Sequence, residues 1–170
     1  SVPNTINMLA DYSVLENNIK SLKLILSGGD SFTYQLISKI KKILDNCVFY
    51  NVYGPTECTI NVSSIRLDKL HEKNKKLKIP IGKIFQHLNY KLLGKDEKTI
   101  NKKKGELIIS GSQVMAGYLE NDDIIKPFIK IQNKDYYRTG DIVKIENYLI
   151  YLLGRNDKLI KVKGYRINPL

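Results

Sequence analysis

The sequence is 170 residues long, 42% hydrophobic, and carries 28 Lys and Arg against 17 Asp and Glu, for a net charge of +11. That length supports one sizeable core, or one core with a smaller appended unit, and no apolar run approaches the ~20 residues that span a bilayer, so membrane insertion is not expected. The lysines gather in two hydrophilic connectors, 68–78 and 95–104, and elsewhere are not interleaved with aromatics on one face; this argues against a nucleic-acid binder and leaves a mild attraction for ATP or an acidic protein.

In chain order, a short helix is expected around 4–10. The apolar run 22–26 reads as a strand buried on both faces of a parallel sheet. Ser27-Gly28-Gly29-Asp30 ends it, with two glycines that let the backbone bend and lie close to a ligand. Asp30 or Ser31 is the expected cap of an amphipathic helix over 32–44, with Leu36, Ile40, Ile43 and Leu44 on one side. A strand over 48–53 completes a strand-helix-strand unit with a right-handed crossover. It runs into Gly54-Pro55, which bounds the heptad Asn51-Val52-Tyr53-Gly54-Pro55-Thr56-Glu57 as a turn. Ligands of open sheets sit at the carboxyl ends of strands, and Gly28-Gly29 and 53–57 both lie there. Tyr53 offers a face for a base, Thr56 a hydroxyl for a phosphate oxygen, and Glu57 a carboxylate for magnesium. The trio suits a nucleotide, although an ordinary strand and turn accounts for the heptad equally well by itself.

Beyond residue 60 the pattern changes to short strands at 65–67, 88–93, 107–110, 142–145 and 148–153, with one helical patch at 122–128. An antiparallel barrel or small sheet is expected. Residues 157–167 alternate apolar and basic positions and read as a strand with one wet face, Lys161 and Lys163 being solvated; Asn168-Pro169 looks like a helix start. The start, Ser1-Val2-Pro3, lacks a signal-peptide layout, and Cys47, Cys58, His71 and His87 show neither metal-ligand spacing nor a disulfide framework. Reduced thiols, a cytoplasmic setting and a chain cut from a longer protein are the expectations.

Pro80-Ile81-Gly82-Lys83, Gly105-Glu106-Leu107 with Gly117-Tyr118, Tyr137-Arg138-Thr139-Gly140-Asp141, Gly154-Arg155-Asn156-Asp157 and Gly164-Tyr165-Arg166 follow the heptad in turn. Their order and spacing resemble the adenylate-forming superfamily, which includes adenylation domains of nonribosomal peptide synthetases, D-alanine-activating ligases and acyl- or aryl-CoA synthetases. The resemblance implies an α/β fold: a parallel sheet with flanking helices, an antiparallel barrel-like subdomain, and the first strand of a small C-terminal lid. It divides the chain into 1–154, itself split at 64/65, and a hinge with the start of the lid at 155–170.

The activity implied is a two-step ligase. A carboxylic acid, here an amino acid, attacks the α-phosphate of ATP, and the acyl-adenylate is then captured by a phosphopantetheine thiol of a carrier protein or of coenzyme A. By resemblance Glu57 holds magnesium, Thr56 contacts phosphate, and Tyr53 lies against adenine with Asn51, Val52, Gly54 and Pro55 around the nucleotide. Gly28, Gly29 and Asp30 form the glycine turn beside adenine and substrate. Asp141 accepts both ribose hydroxyls, Arg155 contacts ribose and phosphate, Asp157 is the hinge, and Gly164 lies near the thiol tunnel. Thr56, Glu57 and Arg155 are thus the catalytic group. Ser1, Leu26, Gly28, Val52, Ile60 and Asn61 line a pocket for a modest, uncharged acyl side chain, and Leu26 and Ile60 suit a plain core equally. The family's phosphate loop, the upstream Asp for an ammonium group and the lid lysine have no counterpart in this stretch. The isolated chain is therefore expected to bind ATP weakly. Tyr165 to Pro169 leans towards acyl-CoA ligases and the heptad towards amino-acid activation; a non-catalytic nucleotide-binding relative is the further alternative.

Overall fold

The computed structural model describes residues 2–11, 22–44, 46–69, 78–118, 127–156, 160–162 and 165–167. Among the described residues, α-helices lie at α1 (Pro3–Asp11) and α2 (Tyr34–Ile43). The first sheet has the order β1-β2-β3-β4, from β1 (Leu24–Gly28), β2 (Val48–Tyr53), β3 (Ser63–Arg66) and β4 (Lys83–Ile84). β1 and β2 run parallel in the register Leu24↔Val48 to Gly28↔Val52, and β3 and β4 continue antiparallel.

α2 buries Leu36, Ile37 and Ile40 against Phe49, Leu67 and Ile6 of α1, while Lys39 reaches Asn7 of α1 at 3.3 Å. Its cap is Thr33, not Asp30 or Ser31. The backbone stays extended at Thr33 (φ −111°, ψ 153°), which puts its hydroxyl within 3.1 Å of the Leu36 N–H, whereas Asp30 spends its carboxylate on the Ser31 N–H. The strand placed at 22–26 forms two residues later, as Leu24–Gly28, and the described residues cover one of its faces. Ser27 is buried and Ile25 packs at the edge of the helix-side core, but Leu24 and Leu26 on the alternate face are 50% and 48% exposed.

The second sheet is antiparallel, in the order β10-β9-β7-β5-β6 with β8 on β9, and curls as a half-barrel. It comprises β5 (Asn89–Leu93), β6 (Ile100–Asn101), β7 (Lys104–Ser110), β8 (Phe128–Ile131), β9 (Lys134–Glu146) and β10 (Leu149–Arg155). Leu92, Leu107, Ile109, Tyr137, Val143 and Ile150 of this sheet share a core with Tyr53, Cys58 and Val62 of the first part of the chain. The strand expected at 142–145 is thirteen residues long, so Tyr137 to Asp141 lies inside a strand. The helical patch at 122–128 falls outside the described residues up to 126, and Phe128 begins β8. The single strand expected over 157–167 is a hairpin, β11 (Ile160–Val162) against β12 (Tyr165–Ile167), because the chain doubles back within it. No described helix is long and apolar enough to cross a membrane.

Residues 80–82 join the two sheets. Ile81 N–H donates to Ile150 O at 2.8 Å, Ile150 N–H donates to Gly82 O at 3.0 Å, and the Ser63 hydroxyl and Asn51 amide donate to Ile81 O and Pro80 O at 2.7 and 2.9 Å. Gly82 has φ +96°, and a Cβ there would stand 2.0 Å from Ser64 O. Gly82→Ala therefore meets a left-handed backbone and a main-chain clash at once, and should lower the unfolding free energy by at least about 2 kcal/mol, read as the shift of the urea midpoint.

Candidate functional site

A cleft of ≈610 Å³ opens where the carboxyl ends of β1 and β2 meet β9 and β10. Its walls include Gly29 and Asp30, Asn51 to Gly54, Ile79 and Ile81, Asp141, and Leu152 to Arg155. A glycine pair turns the chain at its rim. A Cβ on Gly28 would sit 2.0 Å from Val52 O, so the parallel pairing itself excludes a side chain there; Gly29 turns the chain with φ +81°.

Asp141, 3% exposed, is the centre of the polar floor. Its Oδ2 accepts from the Tyr53 hydroxyl at 2.5 Å and its Oδ1 from Arg155 Nη1 at 2.7 Å. Arg155 Nη2 also donates to Thr139 O at 3.1 Å. Burial, and then the charge of Asp141, push the Tyr53 phenol well above its ordinary range, so it stays a proton donor. The Tyr53 ring is buried in the inter-sheet core, with its hydroxyl end turned to the cleft floor. The Asn51 amide is occupied with Pro80 O.

Beyond Gly54 the chain makes a 3-10 turn, Thr56–Cys58, and then two left-handed residues, Thr59 (φ 55°) and Ile60 (φ 71°). A Cβ on Gly54 would lie 2.3 Å from Ile60 O, so the glycine lets this turn fold back on β2. Thr56 is exposed, Glu57 is buried, and the Tyr118 hydroxyl donates to Glu57 Oε1 at 2.8 Å. Gln113 holds the following turn: its carbonyl accepts from Thr59 Oγ1 at 2.8 Å and its amide donates to Asn61 O at 3.1 Å. Pro55, Thr56, Glu57, Ile60 and Asn61 do not line the cleft. Ile60 is 69% exposed, and Leu26 shares the open face of the first sheet with Gly28 and Val52 by register. Ser1, Asp157 and Gly164 lie outside the described residues.

Glu57 offers one carboxylate beside the Thr56 hydroxyl, and no group of three His, Cys, Asp or Glu that could hold a metal ion occurs among the described residues. That oxygen donor set fits magnesium, which takes one or two carboxylates and completes its shell with waters and substrate phosphates. Sequence reasoning missed Lys78, Ile79 and Leu152 in the cleft, and Gln113 and Tyr118 around the 56–61 turn. Tyr118 and Ile81 stood in recognised stretches without a role; Gln113 carried no signal, since its contacts exist only once the 111–118 loop lies over the turn.

Residues 1–119 match the family described as AMP-binding enzyme. At 34% identity over 172 residues, 98% of the chain aligns with the D-alanine–D-alanyl carrier protein ligase of Bacillus licheniformis, covering 34% of that protein. Indigoidine synthase of Dickeya dadantii is 32% identical over 175 residues, 98% of this chain and 12% of that one. The adenylation domain AlmE of Vibrio cholerae, in complex with glycyl-adenosine-5'-phosphate, superposes with a TM-score of 0.82 at 29% identity, over 97% of this chain and 32% of that one. PA1221, an NRPS protein containing adenylation and PCP domains, shares the fold at a TM-score of 0.81, 23% identity, and coverage of 98% and 34%. The chain thus spans about a third of the length of the curated ligase it matches.

The Cys58 thiol beside Glu57, ordinarily near 9.0, is pushed up to about 12 by burial and then by the Glu57 charge. The folded state therefore holds this proton more tightly than the unfolded chain: the contribution to stability is complete below pH 9 and is lost as pH rises towards 12. Urea midpoints measured from pH 7 to 12 should fall across that window, and Cys58→Ala should lower the neutral midpoint while flattening the alkaline fall.

Proposed function

The chain belongs to the AMP-binding enzyme family, and we propose that the protein carrying it is an ATP-dependent, AMP-forming ligase. It activates a carboxylic acid, of the amino-acid class, and passes the acyl group to a phosphopantetheine thiol on a carrier protein. The observation that carries this reading is the shared cleft, in which Tyr53 from the end of β2 meets Asp141, 88 residues away in sequence, and Arg155. The relatives named as D-alanine–D-alanyl carrier protein ligase and as an adenylation domain with glycyl-adenosine-5'-phosphate favour a small amino acid.

In the first half-reaction a carboxylate oxygen of the acid forms a bond to the α-phosphorus of ATP while the bond from that phosphorus to the bridging oxygen of pyrophosphate breaks. In the second, the thiol sulfur adds to the acyl carbon, its proton goes to solvent, and AMP leaves. The protein's part is positioning and charge stabilisation. Asp141 takes the ribose hydroxyls, since a carboxylate has about four acceptor positions and both oxygens stand at the cleft floor. Arg155, tied to Asp141, stays charged beside the sugar and phosphates. Tyr53, Asn51, Val52, Gly54 and the Gly29-Asp30 turn enclose the base. Glu57, with Thr56 contacting phosphate, would hold magnesium, which neutralises charge developing on the phosphate oxygens. Gly28, Val52, Leu26, Ile60 and Asn61 stand towards the acyl side chain, and residues from 155 onwards towards the lid.

The test is acid-dependent exchange of labelled pyrophosphate into ATP by the full-length protein, across amino acids, fatty acids and aryl acids. Exchange is expected with a small amino acid, falling on the order of a hundredfold or more in Glu57→Ala and Asp141→Ala. Exchange only with a fatty or aryl acid would make the protein an acyl- or aryl-CoA synthetase. Silence across the panel in protein that still binds ATP would make it a nucleotide-binding relative without catalysis.

A further inference from the structure

β7 is apolar and fully buried at Leu107, Ile108 and Ile109, yet Glu106 precedes them at 4% exposure. A carboxylate so placed is costly unless it is paired and hydrogen-bonded. Arg138 of β9 supplies the pair, with Nε on Oε1 at 3.2 Å and Nη2 on Oε2 at 2.7 Å; the exposed Glu97 takes a further contact from Nη2 at 2.7 Å. The Gly140 N–H also donates to Glu106 Oε1, at 3.2 Å.

These contacts centre on a bulge. Glu106 pairs with Ile142 and Ile108 with Arg138, so three residues of β9, Thr139, Gly140 and Asp141, stand opposite Leu107 alone. Gly140 takes φ +72° within it. Such a bulge re-aims a side chain but leaves backbone groups off the ladder. Several find partners: Thr139 Oγ1 donates to Leu107 O at 2.7 Å and accepts from Asp141 N–H at 3.0 Å, and Gly140 O accepts from Asn156 N–H at 2.7 Å. Gly140 N–H is left to Glu106. The residue that the bulge turns into the cleft is Asp141, while neither Glu106 nor Arg138 lines that cleft.

We propose that Glu106 is a positioning residue, which through Arg138 and the Gly140 N–H holds the β9 bulge in the shape that aims Asp141 at the nucleotide's ribose. This rests on the reading that Asp141 accepts the ribose hydroxyls. Glu106 touches no ligand; it sets discrimination between nucleotides that have those hydroxyls and nucleotides that lack them.

The experiment is calorimetric titration of the full-length protein with ATP and with 2',3'-dideoxy-ATP, in the wild type, Glu106→Gln and Glu97→Gln. The wild type should prefer ATP by on the order of tenfold to a hundredfold, the scale of hydrogen bonds to a charged acceptor. Glu106→Gln should erase most of that preference while leaving dideoxy-ATP affinity unchanged, and Glu97→Gln should keep it. Should Glu106→Gln fail to fold by circular dichroism, Arg138→Lys carries the same test, since it keeps the charge but lacks the two-point grip. Glu106→Gln, or Arg138→Lys in its place, that retains the full preference or weakens both nucleotides equally overturns the proposal. A wild type without any preference overturns the ribose role of Asp141 and the positioning role with it, an outcome distinct from a discriminating wild type matched by its variant.

Discussion

A single buried carboxylate joins the two sheets at the cleft. Asp141 takes the Tyr53 hydroxyl from the end of β2 on one oxygen and the Arg155 guanidinium from the end of β10 on the other. Both charged partners are largely withdrawn from water, Asp141 at 5% and Arg155 at 15% side-chain exposure. The desolvation of such a pair offsets most of its attraction, so its formation adds little net stability, while deleting one partner costs about 3–5 kcal/mol by stranding the other. What the pair secures is arrangement: a phenol, a carboxylate and a guanidinium from three strands at fixed separations.

The surrounding structure is built to keep that arrangement. The bulge in β9 delivers Asp141, and the linker at residues 80–82, bonded to β2, β3 and β10, sets the distance between the sheets. Glycines stand where two backbones approach too closely for a Cβ, as at Gly28 against Val52 and Gly82 against Ser64. The cleft they bound combines the buried polar trio of Tyr53, Asp141 and Arg155 with apolar side chains such as Val52, Ile79, Ile81 and Leu152.

The corner at residues 56–61 follows a different logic. Thr59 and Ile60 are β-branched and left-handed, a backbone state that costs of order 1–3 kcal/mol per residue and persists only where neighbours enforce it. The enforcement comes from the 111–118 loop, through Gln113 on Thr59 and Asn61, Met115 on Glu57 O, and Tyr118 on the Glu57 carboxylate. Strain here sits beside the carboxylate suited to magnesium, and the turn's shape depends on a loop more than fifty positions away.

Local patterning was enough for the elements whose burial is set by nearest neighbours. The apolar, aromatic run 48–53 stopped by Gly54-Pro55 matches β2 to the residue, the helical periodicity after the glycine pair matches α2 to within two residues, and the order of short motifs was legible as a family resemblance. Pattern alone does not say what covers Leu24 and Leu26, because whether an apolar strand is covered on one face or two depends on what packs there, and the described residues cover one face. It missed the Thr33 cap, which depends on the extended backbone at that residue, and the 160–167 hairpin, which depends on where the chain reverses. The meaning of Glu106, Arg138 and Gly140 was also invisible, since a bulge is a mismatch between two strands and has no signature in either. The sequence by itself determined which chemical groups stand at strand ends, because that follows from local alternation and turn residues. Only the tertiary structure decided that Tyr53, Asp141 and Arg155 share one carboxylate, because contacts across 88 positions arise from sheet pairing and burial rather than from any local preference.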